Sequence, residues 1–290
     1  MTPGPAVAVA LGDSITVGVG DTVGPDARHG AGWAAHLAAV LRAGTFRNLA
    51  SNGSRARDVA DGQLAQALRL RPTLATVLVG GNDVLRSDFS AEEIERALAR
   101  TVGALAGAAS DVVLLRLPVI GLFELAPRPV RRVMRRRVGV INAAVDGAAA
   151  AAREAPGHVA VVDGTEAIAA AGARAWHIDR VHPSPAGHRT LALEVARVWL
   201  GGTAQHVGAV PSTATLAARL PAAPEPPSRW QRAGWLVAKG IPWTWRRGGD
   251  FLPGLVRTVV SDIRSERALP SGSSITGIAE QGPGPRKHRS

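Results

Sequence analysis

Five short strand-like runs, each followed by a longer stretch of helical periodicity, constrain this chain more than any other feature. The runs are residues 6–11, 46–50, 74–79, 112–117 and 159–162. Most are continuously apolar rather than alternating, which is the pattern of strands buried on both faces. Segments 33–41, 58–70, 90–108, 129–153 and 184–200 carry helical spacing. One of them opens with Ser90 and Glu93 at capping-box separation, and another stops short of Pro72. Strand and helix in strict alternation predict a parallel sheet covered on both faces. Right-handed crossovers then make it a doubly wound three-layer α/β/α sandwich with a five-stranded parallel sheet.

The polar residues fall where such a fold places its ligands. The first run breaks at Gly12-Asp13-Ser14-Ile15-Thr16, the second at Ser51-Asn52-Gly53-Ser54, and the third at Gly80-Gly81-Asn82-Asp83. All three turns lie at carboxyl ends of parallel strands. With strand order 2-1-3-4-5, strands one and three flank the switch point where a crevice opens. The loop Asp179-Arg-Val-His182-Pro183 follows strand five and can fold back over the same edge.

Each piece has a plainer reading as well. Asp13, Ser14 or Asn82 can cap a helix, and Gly53 can be a turn glycine. His182-Pro183 can be a loop corner, with Asp179 bonded to backbone. Together, in this order and at these strand ends, they make a better catalytic set. A Ser hydroxyl is a weak nucleophile that needs an adjacent base, a role open to His182. Asp179, three residues earlier, can orient the imidazole. The Ser14 and Gly53 amides and the Asn82 side chain are donors of the kind a developing oxyanion requires. This chemistry calls for no metal and no organic cofactor.

These four blocks resemble those of the GDSL/SGNH hydrolases, in family order and over roughly residues 5–202, with Ile15 where the family name has Leu. The resemblance implies a flavodoxin-like SGNH fold and carboxylic ester hydrolysis by a two-step acyl-enzyme route. It implies Ser14 as nucleophile, His182 as base, Asp179 as its support, and Ser14, Gly53 and Asn82 as the oxyanion hole. The family spans esterases, lipases, thioesterases and carbohydrate deacetylases, so the expected substrate is a small-molecule, lipid or glycan ester. The alternative is a non-catalytic membrane-surface or glycan-binding module on the same fold.

Composition narrows the remaining classes. The chain has no cysteine, which excludes disulfides, thiolate metal sites and Cys nucleophiles. Its net charge of +11 rests on arginine, since only Lys239 and Lys287 are lysines. In a chain also rich in Ala, Gly and Pro, that bias looks like GC-rich codon usage as much as selection for a polyanion, and no nucleic-acid recognition module accompanies it. No nucleic-acid partner is therefore expected. The densest cluster, Arg128, Arg131, Arg132, Arg135, Arg136 and Arg137, reads as a solvated helix face, the sharper option being attraction of an anionic substrate or headgroup. No basic n-region precedes the first apolar run and no run reaches spanning length, so a cytoplasmic protein is expected.

The expected organisation is a catalytic domain over 5–202, a Pro/Ala-rich linker over 203–228, a Trp/Arg-rich amphipathic helical extension over 229–268, and a disordered tail over 269–290. The extension carries four of the seven tryptophans within sixteen residues. That pattern suits packing onto the domain or a partner, or peripheral membrane contact through 229–263.

Overall fold

The computed structural model describes residues 4–21, 31–207 and 210–228, together with single positions at 230, 231, 234, 257, 260 and 264. Five parallel strands form one sheet: β1 (Val7–Gly12), β2 (Thr45–Asn48), β3 (Leu74–Leu78), β4 (Asp111–Arg116) and β5 (Val159–Asp163). Their order is β2-β1-β3-β4-β5, as the sequence pattern predicts. The two central strands β1 and β3 pair from Ala8↔Leu74 to Gly12↔Leu78, so their carboxyl ends are level.

The continuous apolar runs are buried on both faces because helices cover both. Trp33–Leu41 and Pro185–Val207 pack together on one face. Leu64–Leu70, Ala91–Gly107 and Arg128–Ala151 lie on the other. The core centres on β1, β3 and β4, where Leu11, Leu74, Leu78, Leu114 and Leu115 are buried. Strand β2 starts earlier than its apolar pattern indicates. It is an edge strand, mostly exposed, and pairing with Val7 to Ala10 rather than burial fixes its limits.

Helix signals act as local chemistry requires. Ser90 Oγ accepts the Glu93 amide at 3.2 Å. The Glu93 carboxylate does not close the box; it lies 3.5 Å from Arg57 and 3.7 Å from Arg55. The helical segment predicted over 58–70 begins at Ala56 and passes through a wide π turn, Val59–Gln63, before Leu64–Leu70.

Part of the predicted linker is structured. Thr213–Ala217 is a helix capped by Ser212, whose hydroxyl accepts the Thr215 amide at 3.2 Å. Leu216 is fully buried, Arg219 donates to the Val40 carbonyl, and Arg189 Nε donates to the Pro221 carbonyl at 2.9 Å. Pro/Ala-rich composition reads as a spacer, yet one leucine and two arginine bonds hold this segment on the Trp33–Leu41 and Pro185–Val207 layer. The expected extension over 229–268 lies outside the described residues apart from the single positions above, of which Trp230 is 84% exposed. The expected tail over 269–290 lies wholly outside them. Among the described residues, no helix is long and apolar enough to cross a membrane.

Candidate active site

The turn after β1 depends on Gly12. Its φ is +152°, and a Cβ there would stand 2.1 Å from the Leu78 carbonyl oxygen. Glycine lets β1 stay paired with β3 while the chain bends away. Asp13 then caps the short helix Ser14–Val17, its Oδ1 accepting the Ile15 amide at 3.1 Å. Ser14 is consequently the first residue of that helix. The capping role and the proximity to chemistry coexist.

The return loop brings His182 to Ser14, 168 residues away in sequence. Asp179 Oδ1 accepts the Val181 amide at 2.9 Å and the His182 amide at 3.0 Å, which folds the loop around the carboxylate. Asp179 Oδ2 is then 2.8 Å from His182 Nδ1, and His182 Nε2 is 2.9 Å from Ser14 Oγ. A carboxylate only accepts, so Nδ1 carries the proton and donates. In the neutral ring Nε2 is then an acceptor, and the Ser14 hydroxyl donates to it. Burial acts to raise the Asp179 carboxyl. Hydrogen bonding from the His177 and His182 side chains and the His182 amide outweighs it and holds the group well below the usual carboxylate range. His177 Nδ1 lies 3.4 Å from the same Oδ2.

The other two predicted residues stand at neighbouring strand ends. Gly53 occupies the turn after β2 with φ +84°, and a Cβ there would meet open space. Asn82 lies in the short helix Gly81–Val84 after β3, and its Nδ2 donates to the Ser54 carbonyl at 3.0 Å. One amide hydrogen is used in this way; the other has no acceptor among the described residues. The Ser14 and Gly53 amides likewise donate to no protein acceptor there. The structure thus joins Ser14, His182 and Asp179 directly, and joins Asn82 to the Gly53 loop. Such a string can transfer a proton from a hydroxyl to an imidazole beside unengaged donors.

Several supporting residues escaped the sequence reading. Asp83 is fully buried, accepting from the Ala56 amide at 3.1 Å and from Arg55 Nε at 3.2 Å, so it ties the Asn82 helix to the segment after Gly53. Arg137 belongs to the arginine cluster read as a solvated face, but it is buried. Its Nη1 donates to the Val84 and Arg86 carbonyls at 2.8 and 2.7 Å, and its guanidinium sits 4.8 Å from the Phe89 ring centroid. It holds the loop behind Asn82. Arg135 pairs instead with Glu124. His188 is buried, accepting the Trp33 amide at 3.1 Å and donating to the Val19 carbonyl at 3.0 Å, and burial lowers its pKa to about 4. The available signal was a polar residue on an otherwise apolar helical stripe. Among the described residues, no group of three or more His, Asp or Glu side chains has a metal-holding arrangement.

Asp13 gives a testable pH effect. Burial raises its carboxyl to about 6, against the Ile15 amide and the field of His182, with Asp83 pushing it up further. The native state therefore keeps a proton that the unfolded chain releases near pH 4. The stabilisation is complete below the unfolded value and is lost as pH rises through about 6. His188 acts in the opposite sense, losing stability as pH falls through its depressed value, so the comparison must isolate Asp13. Urea denaturation of wild type and Asp13→Asn from pH 4 to 8 should show the variant gaining roughly 2–3 kcal/mol relative to wild type across that range. A constant difference would mean that Asp13 titrates as an ordinary carboxylate.

A parallel sheet in this order, with helices on both faces and its polar residues gathered at the carboxyl edge, defines a three-layer α/β/α sandwich with a candidate site at that edge. The family model of the GDSL-like lipase/acylhydrolases matches residues 10–190, and the chain belongs to that family. It is a carboxylic ester hydrolase. Among solved structures it is similar to LAE5, an alpha/beta hydrolase enzyme from the metagenome of Lake Arreo, Spain. That likeness has 25% identity and a TM-score of 0.53, covering 70% of this chain and 96% of that one. It is also similar to a catalytic mutant of Axe2, an acetylxylan esterase from Geobacillus stearothermophilus. There the identity is 22% and the TM-score 0.52, over 68% of this chain and 97% of that one. No curated protein matches the chain.

Proposed function

We propose that this hydrolase cleaves its ester through an acyl-enzyme formed on Ser14. Oγ attacks the carbonyl carbon while its proton passes to His182 Nε2. The carbonyl electrons move onto oxygen, and that oxyanion is held by the Ser14 and Gly53 amides and the Asn82 side chain. Collapse of the adduct expels the alcohol oxygen, which takes the proton from Nε2. Water then attacks the acyl group, His182 again accepting a proton, and the acid leaves with Ser14 restored. Asp179 stays ionised throughout, fixing the tautomer and balancing the imidazolium.

The observation that carries this reading is the unbroken string Asp179–His182–Ser14 at 2.8 and 2.9 Å. Residues 5–202 are the proposed catalytic unit. The substrate proposed is a lipid, glycan or small-molecule ester, its acyl and alcohol parts chosen by the sequence segments 17–31 and 119–129. A fluorophosphonate probe tests the nucleophile: one label per chain is expected, on the peptide containing Ser14. Turnover of p-nitrophenyl esters from acetate to palmitate is expected to show a chain-length optimum. Label on another residue, or none with turnover intact, would remove Ser14 from the role.

A further inference from the structure

Three proposed oxyanion donors come from three separate strand ends, and something must hold them in register. Two of those ends are joined directly, because the Asn82 side chain donates to the Ser54 carbonyl. The third, at Gly12, lies past the ladder with β2, which stops at Asn48, and on that side its carbonyl takes one backbone bond, from the Ser51 amide at 3.2 Å. A side chain reinforces that bond and takes the Gly12 amide as well. Gln63 Oε1 accepts the Gly12 amide at 2.8 Å, and Gln63 Nε2 donates to the Gly12 carbonyl at 2.9 Å. The same Nε2 reaches Ser54 Oγ at 3.2 Å. Both amide hydrogens and the carbonyl oxygen of Gln63 are thereby engaged, at only 6% exposure.

We infer that Gln63 is a positioning residue for the hydrolysis, clamping the Ser14 turn to the Gly53 and Asn82 loops so that their donors converge on one oxygen. This rests on the proposed function of Ser14, Gly53 and Asn82. The chain of bonds is continuous: Gly12 to Gln63, Gln63 to Ser54, Ser54 to Asn82. Ser14 is two residues past one end, and Gly53 immediately precedes Ser54. Gln63 ends the π turn Val59–Gln63, closed by the Leu64 amide on the Val59 carbonyl. Such wide turns recur at functional sites. Its stripe of Ala56, Val59, Ala60, Leu64 and Ala67 is buried and otherwise apolar. Apolar packing alone would place a hydrocarbon there. A glutamine in that position serves the polar backbone of the nucleophile turn.

Donor placement matters because oxyanion stabilisation exists only in the transition state, and small displacements are costly there. The test uses Gln63→Leu, which keeps the volume, and Ser54→Ala, which cuts only the side-chain link between Gln63 and the Gly53 loop and leaves the Ser51–Gly12 backbone bond in place. Kinetics on p-nitrophenyl acetate are paired with inhibition by phenylboronic acid, which adds to the nucleophile as a tetrahedral adduct. The expected result is a fall in kcat of about tenfold for Ser54→Ala and on the order of 10²-fold for Gln63→Leu, with KM within about twofold. The boronate inhibition constant should rise by the same factor as kcat/KM falls. If Gln63→Leu fails to fold, Ser54→Ala carries the test alone. Unchanged kcat per folded molecule, or unchanged boronate affinity in Ser54→Ala, would make Gln63 merely a core residue and overturn the inference. Ser14→Ala runs beside them. Its inactivity leaves any such failure with Gln63 alone, whereas its full activity would sink the Ser14 reading and this inference together.

Discussion

Replacing Ser14 with alanine should lower kcat on p-nitrophenyl acetate by at least about 10³-fold. Among the described residues, the only side-chain bond that Ser14 makes is through Oγ to His182 Nε2. The backbone turn is held independently, by the Gly12 pairing with Leu78 and the Asp13 cap on Ile15. In the proposed mechanism, deleting the hydroxyl removes the attacking atom and leaves the scaffold, so the circular dichroism and denaturation midpoint should stay close to wild type. KM should change little, since the donors and the imidazole remain. Some acceleration over water should survive, because oriented donors still stabilise a tetrahedral adduct formed by water itself. Activity retained at the wild-type level would mean that the nucleophile lies elsewhere.

What could be read from the sequence follows the range of the forces involved. Strands β1, β3 and β4 were legible because strands covered on both faces must be apolar throughout, and that demand leaves a local trace. Strand β2 was legible only approximately, since pairing with β1 rather than burial sets its ends. The placement of Ser14, Gly53 and Asn82 at strand ends, and of Asp179 and His182 in the return loop, was legible because turn chemistry is local, and the alternation of elements tells which edge the turns share. Gln63, Arg137 and His188 were not. Gln63 meets Gly12 across 51 residues, Arg137 meets Val84 across 53, and His188 meets Trp33 across 155. Nothing in their immediate neighbours announces such partners. The segment 210–221 failed for the converse reason: its composition is that of a spacer, while a single buried side chain, Leu216, decides where it lies.

Asp179→Asn should be more damaging than its size suggests, with kcat falling on the order of 10⁴-fold. The loop determines why. Two backbone amides, of Val181 and His182, point at Oδ1. In the variant they require an acceptor, so the asparagine carbonyl oxygen takes that position. Its NH2 group must then occupy the Oδ2 position facing His182 Nδ1 and His177. A donor there forces Nδ1 to accept, which moves the ring proton to Nε2 and presents N–H to the Ser14 hydroxyl. The imidazole then cannot take the proton from Ser14. The loop itself should survive, because both amides keep their acceptor.

Stability gives an independent sign. The Asp179 carboxyl is depressed in the native state, so its contribution is present above the ordinary carboxylate value and disappears only as pH falls through the depressed one. Asp179→Asn should accordingly be less stable than wild type at neutral pH, with the gap closing in acid. Nitrogen-15 spectra of the His182 ring at pH 8 complete the test, showing the proton on Nδ1 in wild type and on Nε2 in the variant. A variant with the wild-type tautomer and near-normal kcat would show that the Asp179 contact orients the loop without acting on the base.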